Sequence, residues 1–333
     1  MSQKIFNDIF KGKTVLVTGH TGFIGSWLTL WLKYLGANII GYSLNPPTDP
    51  SLFDILNLDN EITNVTSDIR DKKKLFETVK KYEPEFVFHL AAQSLVRNSY
   101  ENPLDTFDVN VLGTANMLET LRSSSSVKTA LIMTSDKCYD NKINDRPHVE
   151  DDPMGGTDPY SASKGAAELI ISSYRDSFFD ASEHKISISS IRAGNILGGG
   201  DWAKDRIIPD CINAITKNHN IQIRNPDSVR PWQYVLEPIS GMLWLARKMY
   251  SNQKEFNQSW NFGPSTEQKF LTVKEIANCV LDKSNTNLKL DFSDDSSQPF
   301  ESKKLMIDSS KAYTNLGWKN IYTVDDTLSE TIA

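Results

Sequence analysis

The segment TVLVTGHTGFIG most constrains the fold of this chain, because three glycines stand between a short β-branched run and an apolar helical stretch. Residues without a Cβ allow a tight turn at Gly19, Gly22 and Gly25 and the close approach of a pyrophosphate. The free N–H groups at the start of the following helix favour the same anion. In this strand–turn–helix context, the glycines predict a dinucleotide-binding turn, the alternative being a structural turn that binds nothing.

Apolar runs alternate with helical segments as far as Asn195. The predicted strands are TVLVTG, NIIGYSL, ITNVTSDIR, EFVFHLAA, KTALIMTS and KISISSIRAGN. This alternation predicts an α/β fold, a Rossmann-like doubly wound parallel sheet. The irregular pattern after Asn195 indicates a smaller, mixed C-terminal substrate-binding lobe. We assign residues 1–192 and a returning segment near 232–262 to the nucleotide-binding domain, and 193–231 and 263–333 to the lobe.

Composition narrows the function classes. The net charge of −6 disfavours nucleic acid as a ligand. The three cysteines have neither metal-site nor disulfide spacing, so we expect no metal and a cytoplasmic location. The most apolar early stretch is interrupted by Lys33 and Gly36, which predicts a helix followed by a strand instead of a membrane span.

Tyr160 and Lys164 lie four residues apart in PYSASKGAAELI, which places them on one face of a predicted helix. A tyrosine with a pKa of about 10 is a poor base at neutral pH, and a nearby ammonium is expected to lower that pKa. The pair is therefore a candidate for proton transfer during oxidation of a hydroxyl group. The alternative is a surface tyrosine and a solvated lysine.

Five motifs resemble the extended short-chain dehydrogenase/reductase family: HLAAQS, NVLGT, TSDKCY, PYSASK and RAGNILGGGDW, in that order. The resemblance implies NAD as cofactor. It implies cofactor contacts at Gly19, Thr21, Gly22, Phe23, Ile24, Gly25, Asp68, Ile69, Leu90, Ala91, Ala92, Tyr160 and Lys164. It also implies that Asn110 organises the active-site helix and that Thr134 or Ser135 hydrogen-bonds the sugar near Tyr160.

The second predicted strand departs from this family pattern. It ends in GYSLNPP, without the acidic residue that usually accepts the ribose hydroxyls and without an arginine for a 2′-phosphate. NAD remains the expected cofactor, with Ser43 or Asn45 as ribose contacts. The alternative for Asp68 is a turn or helix cap at the end of a strand.

The dipeptide Asp136-Lys137 in TSDKCY resembles the nucleotide-sugar 4,6-dehydratases. Many of these relatives carry Thr-Asp-Glu where this chain has Ser135, Asp136 and Lys137. In them the aspartic acid protonates the leaving 6-hydroxyl and the glutamate removes the C5 proton. An exposed salt bridge within the dipeptide is the alternative.

The Asp-Lys pair, GYSLNPPT, AAQSLVRNSY and GNILGGGDWAKDRIIPD resemble the subgroup that acts on CDP-glucose. In that subgroup proline often stands at the position of Ser94. Lys137 would be a neutral base after burial, or a cation that stabilises the enolate, and the sequence leaves both roles open.

The substrate candidates are Ser94, Asn195, Arg206 and Arg230, since arginine suits the oxygens of a diphosphate. The family resemblance also implies a homodimer or higher homo-oligomer, paired through the helices that carry Asn110 and Tyr160. Competing hypotheses are a dehydratase of GDP-mannose or dTDP-glucose, a nucleotide-sugar 4-epimerase, and a non-catalytic NAD-binding protein.

Overall fold

A computed structural model describes residues 5–141, 146–180, 186–252, 255–292 and 302–333. The strands are β1 (Thr14–Thr18), β2 (Asn38–Ser43), β3 (Thr63–Thr66), β4 (Phe86–His89), β5 (Thr129–Met133), β6 (Ser187–Ala193), β7 (Ile196–Leu197), β8 (Ile221–Ile223), β9 (Gln233–Tyr234), β10 (Ser259–Phe262) and β11 (Leu290–Phe292).

The α-helices are α1 (Phe23–Tyr34), α2 (Leu52–Ile55), α3 (Lys72–Tyr82), α4 (Val96–Glu101), α5 (Pro103–Phe107), α6 (Gly113–Arg122), α7 (Pro159–Tyr174), α8 (Ile207–Thr216), α9 (Leu236–Ser251), α10 (Val273–Lys283) and α11 (Val324–Ile332). The 3₁₀ segments are Ile5–Asp8, Leu58–Asn60 and Asp136–Cys138, and the π-helical segments are Asp108–Leu112, Arg175–Phe179 and Ala312–Leu316.

Seven strands form one parallel sheet in the order β10-β6-β5-β4-β1-β2-β3. The strand order reverses between β1 and β4, and in such sheets a crevice opens there beyond the carboxyl ends of the strands. The predicted Rossmann-like, doubly wound fold is therefore confirmed.

Helices cover both faces of the sheet. Leu28 and Leu32 of α1 pack with Met242 and Leu245 of α9 in the core on one face. The core on the opposite face contains residues of α3, α6 and α7, among them Met117. These two cores hold the strand ends, and therefore the crevice, in place.

The C-terminal part of the chain is more regular than the sequence analysis predicts. After Asn195 the described residues include α8 to α11, and α10 and α11 each begin with a capping box, built on Thr272 and Thr323. A third core joins Ile208 of α8 to Ile276 of α10. The irregular loop motifs obscure α8, α10 and α11 in the sequence because these helices are short and only one face of each is apolar.

Part of this region returns to the large sheet. Strand β10 pairs with β6, and α9 packs across β5 and β6. This arrangement supports the proposed returning segment near residues 232–262, although the two-part division itself stays a prediction. Among the described residues, no helix has the length and apolar character needed to cross a membrane.

Candidate active site

The glycine turn lies at the crevice between β1 and β4. Gly19 adopts φ +72°, and a Cβ there would lie 2.7 Å from the backbone nitrogen of Ala91. A Cβ on Gly25 would lie 2.1 Å from the carbonyl oxygen of Gly19. The turn can therefore pass between strand β4 and helix α1 only because both positions lack a side chain.

The first turn of α1 suits an anion. The helix begins after Gly22 with no side-chain hydrogen bond to its free N–H groups and no acidic residue in its first turn. A Cβ on Gly22 would meet only the Gly19 carbonyl, at 3.4 Å, so the approach to the helix end is open. Phe23 and Ile24 follow, and both side chains are half-buried. This open, uncapped helix start fits the pyrophosphate of a dinucleotide.

Thr21 connects the glycine turn to the end of β2, where the sequence lacks an acidic residue. Its hydroxyl lies 2.9 Å from the Ser43 hydroxyl and donates to the Leu44 carbonyl at 2.9 Å. Neutral oxygen atoms thus stand where related sheets place a carboxylate. The assignment of Ser43 as a ribose contact stays a prediction.

The Asp68 side chain is engaged by a neighbour. The Nε group of Arg70 donates to Oδ1 of Asp68 at 2.9 Å, and the Nη2 group donates to Oδ2 of Asp68 at 2.6 Å. These hydrogen bonds hold the pKa of Asp68 below its usual range. Ile69 is buried, and a Cβ on Gly113 would lie 2.7 Å from its side chain. The adenine-contact role of Asp68 and Ile69 stays a prediction.

A cavity of about 300 Å³ extends from this crevice toward α8 and β8. Many of the residues singled out from the sequence line it together: Ile24, Leu90, Ala92, Ser94, Ser135, Asp136, Lys137, Tyr160, Lys164, Asn195, Arg206 and Arg230. Ala91 instead packs against Gly19, as described above. Residues separated by more than 200 positions in sequence therefore share one chamber.

Asn110 lies behind the cavity wall. Its side-chain oxygen accepts from the Gln93 backbone nitrogen at 2.8 Å, and its amide donates to the Gln93 carbonyl at 2.9 Å and to Ser163 at 2.9 Å. Asn110 occupies the π-helical segment between α5 and α6, and such segments often occur at functional sites. It joins the loop after β4 to α7, which agrees with the predicted organising role without testing it.

Tyr160 and Lys164 lie near the start of α7, with the lysine nitrogen 5.9 Å from the centre of the tyrosine ring. Burial raises the pKa of Tyr160 to about 12 and lowers the pKa of Lys164 to about 8. The expected net lowering of the tyrosine pKa is therefore not found in the protein alone. The reason is that loss of hydration outweighs the stabilisation of the phenolate by nearby positive charge.

The two hydroxyl candidates near Tyr160 have different surroundings. Thr134 donates to Oε1 of Glu168 at 2.5 Å and to the Ile191 carbonyl at 3.2 Å. Ser135 instead donates to Oδ1 of Asp136 at 2.9 Å, and its hydrogen bond with Tyr160 lowers the pKa of that phenol against the larger effect of burial. Ser135 is thus the better placed to meet a sugar hydroxyl.

Asp136 is a buried carboxyl group at the cavity wall, with 3% of its surface exposed. Its Oδ2 has no hydrogen-bond partner among the described residues. Burial raises the pKa of this group, although the positive charge of Lys137 acts in the opposite direction. Asp136 therefore retains a proton more readily than an exposed aspartate, as a general acid must.

The arginines proposed for substrate differ in exposure. Arg206 donates to Asp201 at 2.8 Å and to Ser94 at 3.4 Å. Arg230 is buried and donates to the Val229 carbonyl at 2.9 Å. Asn195 also lines the cavity, and its backbone carbonyl accepts a hydrogen bond from the Gln233 backbone nitrogen at 3.0 Å.

Several charged residues at the site are absent from the sequence prediction. Arg97, Arg224, Asp205 and Asp210 also line the cavity, and Asp205 pairs with both arginines. Only the folded structure reveals them, since it brings Arg97 on α4 next to residues more than 100 positions later in the sequence. Among the described residues, no group of three or more potential ligands is arranged to hold a metal ion.

The sheet, the glycine turn and the Tyr160–Lys164 pair define the class: an α/β nucleotide-binding enzyme of the short-chain dehydrogenase/reductase type. A buried carboxyl group beside that pair adds an acid that simple oxidation of a hydroxyl does not require.

Comparison with known proteins agrees with this class. The model of the family described as GDP-mannose 4,6 dehydratase matches residues 16–331. A CDP-glucose 4,6-dehydratase of Salmonella typhimurium is 45% identical over 334 residues, which cover 98% of this chain and 92% of that protein. The chain therefore belongs to the GDP-mannose 4,6 dehydratase family, and the prediction of a nucleotide-sugar 4,6-dehydratase is confirmed.

Solved structures share the fold. The UDP-glucose 4-epimerase of Thermotoga maritima, solved with UDP-glucose, matches with a TM-score of 0.83 and 20% identity, over 96% of this chain and 97% of that one. The dTDP-glucose 4,6-dehydratase of Bacillus anthracis, solved with NAD, matches with a TM-score of 0.79 and 19% identity, over 96% of each chain.

The buried carboxyl group leads to a prediction about stability. Because the pKa of Asp136 is raised on folding, the wild-type protein loses stability as the pH rises from the unfolded value, about 4, through the folded value. The substitution Asp136→Asn removes the ionisable group, so the variant does not lose this stability as the pH rises. We expect urea unfolding at pH 8 to show a more stable variant and the advantage to shrink toward pH 4.

Asp227→Asn is the matched control, since Asp227 is exposed. It reports how much of any change comes from loss of a surface charge. A variant Asp136→Asn that is equally or less stable than the wild type at pH 8 would contradict the raised pKa.

Proposed function

We propose that the protein is an NAD-dependent lyase that converts CDP-glucose to CDP-4-keto-6-deoxyglucose. The reaction oxidises C4, removes water across C5 and C6, and returns the hydride to C6. The observation that carries this proposal is the buried Asp136, placed in the same cavity as Tyr160 and Lys164. A 4-epimerase needs the tyrosine but has no use for an acid that expels the 6-hydroxyl.

The residues at the crevice fit NAD. The uncapped start of α1 and the side-chain-free turn at Gly19, Gly22 and Gly25 suit its pyrophosphate, and the neutral Thr21–Ser43 pair suits ribose hydroxyls. When bound, NAD supplies a hydride acceptor, a hydride donor after elimination, and a positive charge on its oxidised ring. The NAD-bound dehydratase structure with the same fold supports this choice.

Proton transfer from the 4-hydroxyl is assigned to Tyr160. A base with a pKa of about 12 is mostly protonated at neutral pH, so the phenolate must be stabilised by positive charge during the reaction. The Lys164 ammonium, on the same helix face, provides part of this charge. Ser135 orients the sugar hydroxyl toward the phenolate, because its own hydroxyl lies beside both Tyr160 and Asp136.

Elimination is assigned to Asp136. Once C4 is a carbonyl carbon, the C5 proton is acidic, and its loss together with the 6-hydroxyl leaves a conjugated enone. The proton of Asp136 goes to the departing oxygen, so that water leaves. Hydride addition at C6 and protonation at C5 complete the product. Burial raises the pKa of Asp136, which helps the group to hold this proton.

Lys137 is the remaining group that can act at C5. It is half-buried at the cavity wall, next to Asp136. As a neutral amine it would take the C5 proton, and as a cation it would stabilise the enolate. Both roles fit this position, and the substitutions described below separate them.

The diphosphate of the substrate is assigned to the arginine side of the cavity. Arg206 and Arg230 provide donors there, and Ser94 and Asn195 line the same wall. The choice of the cytidine nucleotide rests on the relative that is 45% identical along nearly the whole chain.

A panel of nucleotide sugars tests the function. We expect incubation with NAD to release one water per CDP-glucose, detected as a 4-keto-6-deoxy product by mass spectrometry. The kcat/KM for CDP-glucose should exceed that for dTDP-glucose and GDP-mannose by about 100-fold or more, a ratio that polar contacts to a base can provide. Turnover of another nucleotide sugar but not of CDP-glucose would contradict the proposed substrate. Formation of an epimer without loss of water would contradict the proposed reaction.

Two substitutions of Lys137 separate its roles. Lys137→Ala should lower kcat by about 10²- to 10⁴-fold if the side chain acts at C5. Lys137→Glu should recover activity if a base is needed and stay inactive if a cation is needed. The measurement is product formation together with exchange of the C5 proton with deuterated solvent. Unchanged turnover in Lys137→Ala would remove this residue from the mechanism.

We also propose a homodimer. Three large apolar side chains on adjoining helical segments are exposed: Leu104 by 79%, Leu112 by 56% and Leu169 by 62%. Leu104 lies on α5, Leu112 on the π-helical segment that contains Asn110, and Leu169 on α7, the helix of Tyr160. Pairing of this face with a second copy would bury a contiguous apolar surface.

A charge placed on this face should prevent the pairing. Sedimentation equilibrium is expected to show a dimer for the wild type and a monomer for Leu112→Lys combined with Leu169→Lys. Ile321→Lys, at a position 83% exposed elsewhere on the protein, should leave the dimer unchanged. A monomeric wild type at micromolar concentration would contradict the dimer.

A further inference from the structure

Helix α7 carries a buried carboxylate one turn after Lys164. Oε2 of Glu168 lies 2.7 Å from Nη2 of Arg192 on β6, and both side chains are at most 5% exposed. The carboxylate also accepts hydrogen bonds from Thr134 at 2.5 Å and from Ser190 at 2.8 Å. A single charged group thus connects α7 to β6 and to the end of β5.

Stability alone is a poor explanation for this pair. Taking two charges out of water costs several kcal/mol per ion, and well-packed apolar residues are often as stable or more stable. In this structure Arg192 satisfies further contacts, to the Tyr139 hydroxyl at 2.9 Å and to the Glu150 carbonyl at 2.8 Å. A buried ion pair is therefore weak evidence for a stabilising role, and the position of this pair behind the active site points to a different function.

The position of the pair relative to Lys164 suggests that function. Residues four apart on a helix lie about 5–6 Å apart at their Cβ atoms, so Glu168 lies on the face of α7 that carries Lys164. Burial lowers the pKa of Lys164 to about 8, and Cys138 and Glu168 act to raise it. Burial also raises the pKa of the Cys138 thiol, so that thiol is uncharged near pH 8. Glu168 is left as the anion that acts on the lysine.

On the basis of the function proposed above, we propose that Glu168 is a positioning residue for the reaction. Held by Arg192, it fixes the active-site end of α7 against β5 and β6 and keeps Lys164 in its ammonium form. The ammonium is the form that stabilises the Tyr160 phenolate, so loss of this carboxylate would weaken the base that starts the oxidation.

The other charged or titratable groups facing Lys164 do not supply an anion. Tyr160 on the same helix is protonated near neutral pH, and His89 on β4 is neutral because burial lowers its pKa to about 3. Cys138, on the 3₁₀ segment, is a thiol as described above. Arg192 on β6 carries a positive charge that Glu168 offsets. Glu168 is therefore the anion that acts on the lysine, and Arg192 holds this carboxylate in place.

Opposite substitutions in the pair give opposite predictions. Glu168→Gln leaves the Arg192 charge without its partner, so Lys164 should lose its proton at lower pH. Arg192→Gln leaves the Glu168 charge without its partner, so Lys164 should lose its proton at higher pH. With an effective dielectric constant near 20, loss of the Glu168 charge is expected to lower the midpoint by about one to two pH units. The double variant, Glu168→Gln with Arg192→Gln, should titrate near the wild-type midpoint.

The measurement is a ¹³C NMR titration of the Lys164 Cε signal in the full-length protein without substrate. Lys164→Arg identifies the signal by its loss. Ser190→Ala is the matched control, since it removes a neutral hydrogen bond to the Glu168 carboxylate and should leave the midpoint in place. The high-pH limit of kcat with CDP-glucose should move in the same direction as the midpoint in each variant.

An unchanged midpoint in Glu168→Gln, or a shift of the same sign in both single variants, would overturn the proposal. If Glu168→Gln does not fold, Arg192→Gln and the double variant provide the test. The titration needs neither substrate nor turnover. Its failure is thus distinguishable from failure of the dehydratase proposal, which the nucleotide-sugar panel decides.

Discussion

The backbone contact between the glycine turn and its surroundings is the constraint on which the site depends. Gly25 lies so close to the Gly19 carbonyl, and Gly19 so close to the Ala91 backbone, that no side chain fits at either position. This contact sets the distance between α1, β1 and the loop after β4. The same loop is held by Asn110, which reaches across to Ser163 on α7. The cofactor crevice and the helix of Tyr160 are thereby fixed relative to each other.

Burial then gives each titratable group of the site a different role. Loss of hydration disfavours every charged form, so it raises the pKa of Tyr160 and Asp136 and lowers the pKa of Lys164. For Asp136 this effect is useful, because an acid must hold its proton. For Tyr160 and Lys164 it opposes function, since the lysine is needed as a cation and the tyrosine as a phenolate. Nearby positive charge lowers the pKa of Tyr160, and the Glu168 carboxylate raises the pKa of Lys164, so both act against the effect of burial.

The parts of the site that the sequence predicts are those in which local pattern and chemistry coincide. The β1–α1 turn, the Tyr160–Lys164 spacing and the strands of the first half all occupy their predicted places. Asp136 is singled out because its neighbours in TSDKCY resemble those of a known family. Each of these signals lies within about ten residues, so periodicity and motif are enough.

The features that escaped prediction depend on partners distant in sequence. A glutamate in a helix and an arginine in a strand look ordinary until folding brings Glu168 and Arg192 to 2.7 Å. The hydrogen bond from Thr134, at the cavity wall, to that same carboxylate is equally invisible in the sequence. Helices α8, α10 and α11 each bury one face in a shared core. The sequence of one such helix does not reveal that core, because its partners lie far away in the chain.

The seventh strand of the large sheet has a consequence for biogenesis. Every residue of β6 is buried, yet its outer neighbour β10 is translated more than 60 residues later. At roughly 5–20 residues per second, the ribosome exposes β6 as an uncovered edge for several seconds. Such an edge can pair with another nascent chain. Until Ser259–Phe262 emerges, pairing of the β6 edge with another chain competes with completion of the sheet.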